Sequence, residues 1–208
     1  MAEMKFVAFA GSLRRASYNR GLIRAAVDLA PTGITIDAFD LGDLPLYNQD
    51  IEDAGEPVAV VAFKQALARA DALLVATPEY NHGVPGVLKN AIDWASRPRV
   101  TSPLRDKAVA VMGASPGHES TARAQAQLRD AFVFTGACVM PLPELLVGGC
   151  GRSLRPGRQP DGSRSARLTG RAHRFVAGMD CAHRPPTRGG LTGPTELGVK
   201  RIDRDAQA

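Results

Sequence analysis

Apolar residues along the first two thirds of the chain fall into two alternating rhythms. KFVAFA at 5–10, ITIDAF at 34–39, ALLVAT at 72–77 and AVAVM at 108–112 are short, nearly continuous apolar runs. Runs of that length and continuity suit strands covered on both faces. Between them, segments 19–30, 57–70, 85–96 and 121–134 carry apolar residues at helical spacing, and a short run at 137–140 follows the last. Pro57 suits a first helical turn, where its missing N–H has no partner to lose. The stretch LGDLPLYNQDIEDAGEP between the second run and Pro57 reads as a long, turn-rich connection.

Five strands separated by helices predict an α/β fold: a parallel sheet wrapped on both faces by right-handed crossovers. Ligands bind such sheets outside the carboxyl ends of the strands, where the strand order reverses. The loops that follow Ala10, Thr77 and Met112 are therefore expected to converge.

The alternation stops near Val147, which divides the chain into a domain at 1–147 and an atypical basic segment at 148–208. The second part holds eleven glycines, five prolines and one aromatic residue, Phe175. An apolar stripe at Leu168, Ala172, Phe175, Val176 and Met179 is helical in spacing but is weakened by Gly170 and Gly178, each costing about 1 kcal/mol against Ala. From about residue 180 onward the composition is that of a disordered tail. The formal charge of +5 also belongs to this part. Residues 1–147 carry 14 Lys+Arg against 16 Asp+Glu, and residues 148–208 carry 12 against 5. Arginines scattered among Gly and Pro without aromatics give at most non-specific, salt-sensitive attraction to nucleic acid, which is not expected as a partner. No apolar run approaches the ~20 residues of a membrane span, and no secretory leader is recognisable. Cys138, Cys150 and Cys181 form neither a CxxC pair nor an even framework, so a reducing, cytoplasmic setting is expected.

Each expected loop has distinctive chemistry. In GSLRRASYN, Gly11 permits a tight turn at the strand end. Ser12, Ser17 and Asn19 place hydroxyl and amide groups beside the free N–H groups of a helix start, and Arg14 adds a cation able to pair with phosphate. That is the composition of an anion cradle at a helix N-terminus; a plain N-cap at Ser17 and a solvated Arg14 remain the alternative. Neither GxGxxG nor GxxxxGK[ST] is present, which disfavours a dinucleotide-binding dehydrogenase or a P-loop enzyme. In PEYNHGVPGVLKNAIDWASRP, two prolines and two glycines fix an extended turn able to present backbone groups to a planar ring. Tyr80 could supply its wall; Ile92 and Trp94 read as core or interface, and His82 as a hydrogen-bonding loop residue. No Ser/His/Asp, Cys/His or metal-ligating set emerges, and no catalytic side chain or metal is expected.

GSLRRASYN, PEYNHGVPGVLKNAIDWASRP and GASPGHESTARAQAQLR together resemble the NADPH-dependent FMN reductase family, which includes quinone and chromate reductases. The resemblance runs from about Lys5 to Val147. It implies a flavodoxin-like sheet of order 2-1-3-4-5 that binds FMN non-covalently, takes hydride from NAD(P)H and reduces quinones or other small acceptors. An FMN-binding electron carrier without pyridine-nucleotide activity is the alternative. Carried over by residue, Ser12, Arg14, Ser17 and Asn19 would hold the FMN phosphate. Pro78, Glu79, Tyr80 and Asn81 would border the isoalloxazine ring, and Ser115 would complete the pocket. The resemblance also implies a homodimer or homotetramer, with Arg123 and Glu144 placed where charged contacts between copies would fall. Two features depart from the family pattern. HEST stands at 118–121 where a glycine-rich segment is usual, and after PELLVGG the basic segment replaces a fifth amphipathic helix.

Overall fold

A computed structural model describes residues 3–150 of the chain. The basic segment beyond residue 150, with the candidate helix at 168–179, lies outside the described residues. Strands β1 (Met4–Ala10), β2 (Ile34–Phe39), β3 (Ala72–Ala76) and β4 (Ala108–Ala114) occupy the apolar runs, and β5 (Cys138–Val139) and β6 (Leu145–Val147) follow them. Helices α1 (Tyr18–Asp28), α3 (Val58–Arg69), α4 (Gly86–Ala95) and α5 (Ala122–Phe134) fill the predicted helical segments. A short additional helix, α2 (Gln49–Ala54), interrupts the long connection. It buries no residue, so it leaves no apolar period to read. Instead Asn48 caps it, accepting from Asp50 N at 2.9 Å, and Asp50 and Glu52 stand in its first turn, where the helix field favours acidic groups.

All strand pairs are parallel, in the order β2-β1-β3-β4-β5, with β6 also pairing with β4. The sheet order agrees with the flavodoxin-like expectation. Its last edge is divided: β5 pairs with the start of β4, through Ala108 and Val109, and β6 with its end, through Met112 to Ala114. The interruption contains Pro141 and Pro143, which have no N–H to give a ladder. Side chains of α5 hold both pieces. Arg129 Nη1 donates to Met140 O at 2.5 Å and Gln125 Nε2 to Leu145 O at 3.1 Å.

Strand periodicity divides the core between two faces. Phe6, Ala8, Ala10, Leu74, Ala76, Ala110 and Met112 point to the side of α1, where Ile23 and Ala26 pack on them. Val7, Phe9, Leu73, Val75, Val109 and Val111 point to the side of α3, α4 and α5, where Phe63, Leu67, Leu88, Trp94, Leu128 and Phe132 complete the larger core. Ile92 and Trp94 are buried there, Trp94 donating from Nε1 to Pro45 O at 2.8 Å. Asn90 Nδ2 donates to the same carbonyl at 2.8 Å, while its Oδ1 accepts from Tyr47 N at 2.7 Å. These bonds fasten the long connection to α4.

Candidate functional site

The three loops do converge, and main-chain pairing continues just past the strand ends to align them. Gly11 N donates to Ala76 O at 2.8 Å, Thr77 N to Met112 O at 2.9 Å and Ser115 N to Val147 O at 2.9 Å. The loops after β1, β3 and β4 therefore leave the carboxyl edge side by side. Gly11 is pressed between its neighbours: a Cβ there would lie 3.0 Å from Leu88 Cδ2 and 3.3 Å from Pro78 Cδ.

In the first loop Ser17 is the N-cap of α1, its hydroxyl accepting from Asn19 N at 3.2 Å and Arg20 N at 3.4 Å. Ahead of it, the N–H groups of Leu13 to Ala16 have no protein acceptor among the described residues, and all four residues are exposed. Consecutive free N–H groups before a helix make an anion-binding concavity. No acidic residue in the first turn of α1 offsets its positive end. Arg14 is exposed at the lip, 5.4 Å from the Tyr18 ring centre.

Asn19 acts differently from the other polar groups. It is 2% exposed, and both polar atoms of its carboxamide bond across the sheet. Nδ2 donates to Ala114 O at 3.0 Å and Oδ1 accepts from Ala114 N at 2.9 Å. Its side chain ties the start of α1 to the end of β4, directly before Ser115.

In the second loop Tyr80, half exposed, donates from Oη to Ser12 Oγ at 3.3 Å, joining the first two loops. Glu79 points away from that contact and into the start of α5, where Thr121, the N-cap residue, makes no side-chain cap bond. The Glu79 carboxylate supplies the cap from another part of the chain: Oε2 accepts from Arg123 N at 3.0 Å and Ala124 N at 3.1 Å. Burial works against the charged form. It is outweighed by the Ala124 N–H, the His82 ring, the Arg123 N–H and the Arg123 guanidinium, which together hold the carboxyl below its usual range. Gln127, one turn further along α5, braces the same loop by accepting from Val84 N at 3.2 Å and donating to His82 O at 3.3 Å. Ser115, in the third loop, is partly buried and its hydroxyl accepts from Gly117 N at 3.2 Å.

A depressed carboxyl contributes stability that is complete above the unfolded-state value near 4.5 and is lost as pH falls through the lower folded-state value. Glu79→Gln, which keeps one acceptor but removes the charge, is expected to cost roughly 1 to 2 kcal/mol at neutral pH. In urea melts this difference should narrow steadily as pH is lowered below about 4.5. A difference that stayed constant with pH would show that the charge contributes nothing to the clamp.

Of the candidate residues, Ser12 and Tyr80 meet directly, and Asn19 lies against the residue preceding Ser115. Sequence reasoning missed the roles of Glu79, Gln127 and Ala114 as fasteners, and no local pattern marks them. Arg123 and Glu144 both have partners within the chain: Arg123 Nη1 lies 2.5 Å from Glu119 Oε2, and Glu144 Oε1 lies 4.0 Å from Arg129 Nη2.

Residues 4–151 match the NADPH-dependent FMN reductase family model. The match ends close to where the composition turns basic. An NAD(P)H-dependent FMN reductase of Pseudomonas aeruginosa is 46% identical over 145 residues, covering 70% of this chain and 78% of that protein. A quinone reductase of Escherichia coli is 37% identical over 177 residues, covering 83% of this chain and 94% of its own length. Among solved structures, a flavoenzyme NAD(P)H:(acceptor) oxidoreductase from Paracoccus denitrificans superposes with a TM-score of 0.75 at 34% identity. That alignment covers 86% of this chain and 98% of the other.

Proposed function

Because the chain belongs to the NADPH-dependent FMN reductase family, we propose that it is an FMN-dependent NAD(P)H oxidoreductase that reduces quinones or other small electron acceptors. The observation that carries this reading is the row of four free N–H groups, Leu13 to Ala16, at the uncompensated N-terminus of α1 and beside exposed Arg14. Such a donor set fits a phosphate monoester. Ser12 and Ser17 flank it, and the Tyr80 to Ser12 contact brings the second loop against it.

When bound, FMN supplies the hydride chemistry, accepting from a reduced nicotinamide and delivering to an acceptor. The residues of the chain bind and orient. Arg14, Ser12, Ser17 and the loop N–H groups would hold the phosphate. Pro78, Tyr80 and Asn81 would border the ring, and Ser115 would complete the pocket. Asn19 and Glu79 would act through position, one setting the phosphate loop against β4 and the other setting the ring-side loop against α5. No general acid or nucleophile is asked of the chain. On the same reading we place it in the cytoplasm, consistent with cysteines that show no pairing pattern, as a homodimer or homotetramer.

The test is direct. Purified protein loaded with FMN is expected to oxidise NADH or NADPH steadily when a quinone is supplied; no oxidation with either nucleotide would overturn the proposal. Arg14→Ala is expected to raise the FMN dissociation constant about tenfold or more, the loss of one charge-assisted phosphate contact. Fluorescence titration of FMN measures it, and an unchanged constant would remove Arg14 from the site.

A further inference from the structure

A cleft of about 200 Å³ lies at the carboxyl edge beside the first loop, between α1 and the end of β2. Ile23, Ala38 and Phe39 give it apolar surface, and Arg20, Arg24 and Asp40 give it charge. It is smaller than the roughly 300 to 1,000 Å³ that encloses a whole ligand, and it suits one end of a longer one.

Charge around this cleft is one-sided. Residues 11–27 hold four arginines and no acidic residue, in a domain whose acidic residues otherwise outnumber its basic ones. Arg20 has a counter-ion, its Nη2 donating to Asp40 Oδ2, while Gly42 N donates to Asp40 Oδ1 at 3.1 Å. Arg24, one turn further along the same face of α1, is exposed and has no acidic side chain within 4 Å among the described residues. The formal sum of Arg20, Arg24 and Asp40 is +1, which favours an anion. One phosphate monoester is already accounted for by Arg14 and the N–H groups of Leu13 to Ala16, so Arg24 stands over for a second. Resting on the function proposed above, we propose that this cleft takes the adenosine end of the reductant and that Arg24 binds its 2′-phosphate, selecting NADPH over NADH.

Sheet order places the cleft within reach of the ring. The sequence β2-β1-β3 sets the cleft, the anion cradle and the ring-side loop in a row, two strand spacings or about 10 Å from end to end. Ser12 stands in the middle: it lines the cleft, and its hydroxyl accepts from Tyr80 Oη at 3.3 Å. A dinucleotide whose nicotinamide lies against the ring-side loop therefore has only the cradle to cross before its other end meets Arg24.

The chemistry separates the two nucleotides. A 2′-phosphate brings between one and two negative charges and three acceptor oxygens at neutral pH, and a guanidinium meets them with paired N–H donors. The 2′-hydroxyl of NADH offers Arg24 no charge. Asp40 acts indirectly, by holding Arg20 against the end of β2 and so fixing the wall of the cleft opposite Arg24.

Two measurements on the full chain test this. Adenosine 2′,5′-bisphosphate carries the proposed contact without the nicotinamide, and 5′-AMP lacks only the 2′-phosphate. Calorimetric titration into the FMN-loaded protein is expected to show the bisphosphate binding about five- to tenfold tighter than 5′-AMP, the scale of one charge-assisted contact at an open site. Arg24→Ala is expected to remove that advantage. The exchange is benign for α1, because the position is exposed and Ala is the best helix former. Equal binding of the two probes by the unaltered protein would overturn the proposal, as would an advantage that survives Arg24→Ala. Release of FMN by the bisphosphate would also overturn it, because the probe would then be sitting in the cradle. In turnover with a quinone, kcat/KM for NADPH divided by that for NADH is expected to fall about five- to tenfold in Arg24→Ala, through KM for NADPH. An unaltered ratio overturns the proposal. Failure to oxidise either nucleotide would instead count against the reductase function, and the titration would still decide what the cleft binds.

Discussion

Gly113→Ala is expected to destabilise the fold strongly. A Cβ on Gly113 would stand 1.9 Å from Thr121 Oγ1, 2.5 Å from Thr77 O and 2.9 Å from Thr121 Cβ. None of these atoms can retreat. Thr77 O belongs to main chain leaving the central strand, and Thr77 N is itself bonded to Met112 O at 2.9 Å. Thr121 is fully buried, its carbonyl accepts from Gln125 N at 2.9 Å, and its hydroxyl accepts from Gln125 Nε2 at 3.0 Å. On its own strand, Gly113 pairs with Leu146 of β6. Overpacking a core usually costs about 1 to 3 kcal/mol, and a clash with fixed backbone belongs at or above the top of that range. That is a large share of the roughly 5 to 15 kcal/mol that holds a domain folded. Soluble yield and a urea melt measure it, and a midpoint equal to that of the parent protein would refute the steric argument. Gly86→Ala is the matched control. Gly86 opens α4 with nothing within 4 Å of its would-be Cβ, and the change is expected to be neutral or to stabilise by up to about 1 kcal/mol.

Asn19→Ala is expected to weaken both the fold and the candidate phosphate site. The substitution strips Ala114 N and Ala114 O of their partners in a position that is 3% exposed. Each unsatisfied buried group costs about 1 to 3 kcal/mol, so a loss of roughly 2 to 4 kcal/mol follows after partial relaxation. For a domain of this size that lowers the melting temperature by about 5 to 15 °C. Because the same carboxamide sets the entry of α1 against the end of β4, FMN affinity should fall with stability. Asn19→Asp separates the two halves of the contact. It can still accept from Ala114 N but turns a second carboxylate oxygen toward Ala114 O, so it should also destabilise. Calorimetry together with FMN titration checks both. A variant with lowered stability and unchanged FMN affinity would mean that Asn19 supports the core and not the loop.

The elements of the fold were largely legible before the structure. The strands announced themselves as apolar runs because both faces of a parallel sheet are covered, and the major helices because each buries one stripe. Two elements escaped. The helix at Gln49–Ala54 has no buried side, so hydrophobic pattern is silent about it. The strand at Leu145–Val147 is three residues long and follows a proline-interrupted stretch, so it does not stand out from a loop. At the site, the composition of the first loop correctly pointed to a helix start with polar groups around it, and the cap at Ser17 is there. The cap at Ser17 does not preclude the proposed anion site: Ser17 serves Asn19 N and Arg20 N, and the N–H groups ahead of it have no protein acceptor among the described residues.

By itself the sequence determined the alternation of strand and helix, the two-faced core and the three loops that meet at one edge. These follow from short continuous apolar runs and from apolar spacings of three to four residues, which a chain displays locally. Only the tertiary structure decided what the polar side chains do. Asn19 reaches a residue 95 positions away, and Glu79 reaches main-chain donors 44 and 45 positions away. A buried polar group must find its complement wherever the packed strands and helices leave one, and that neighbour is set by sheet order and helix placement, not by adjacent sequence. The same dependence places Arg123 against His82, 41 positions apart.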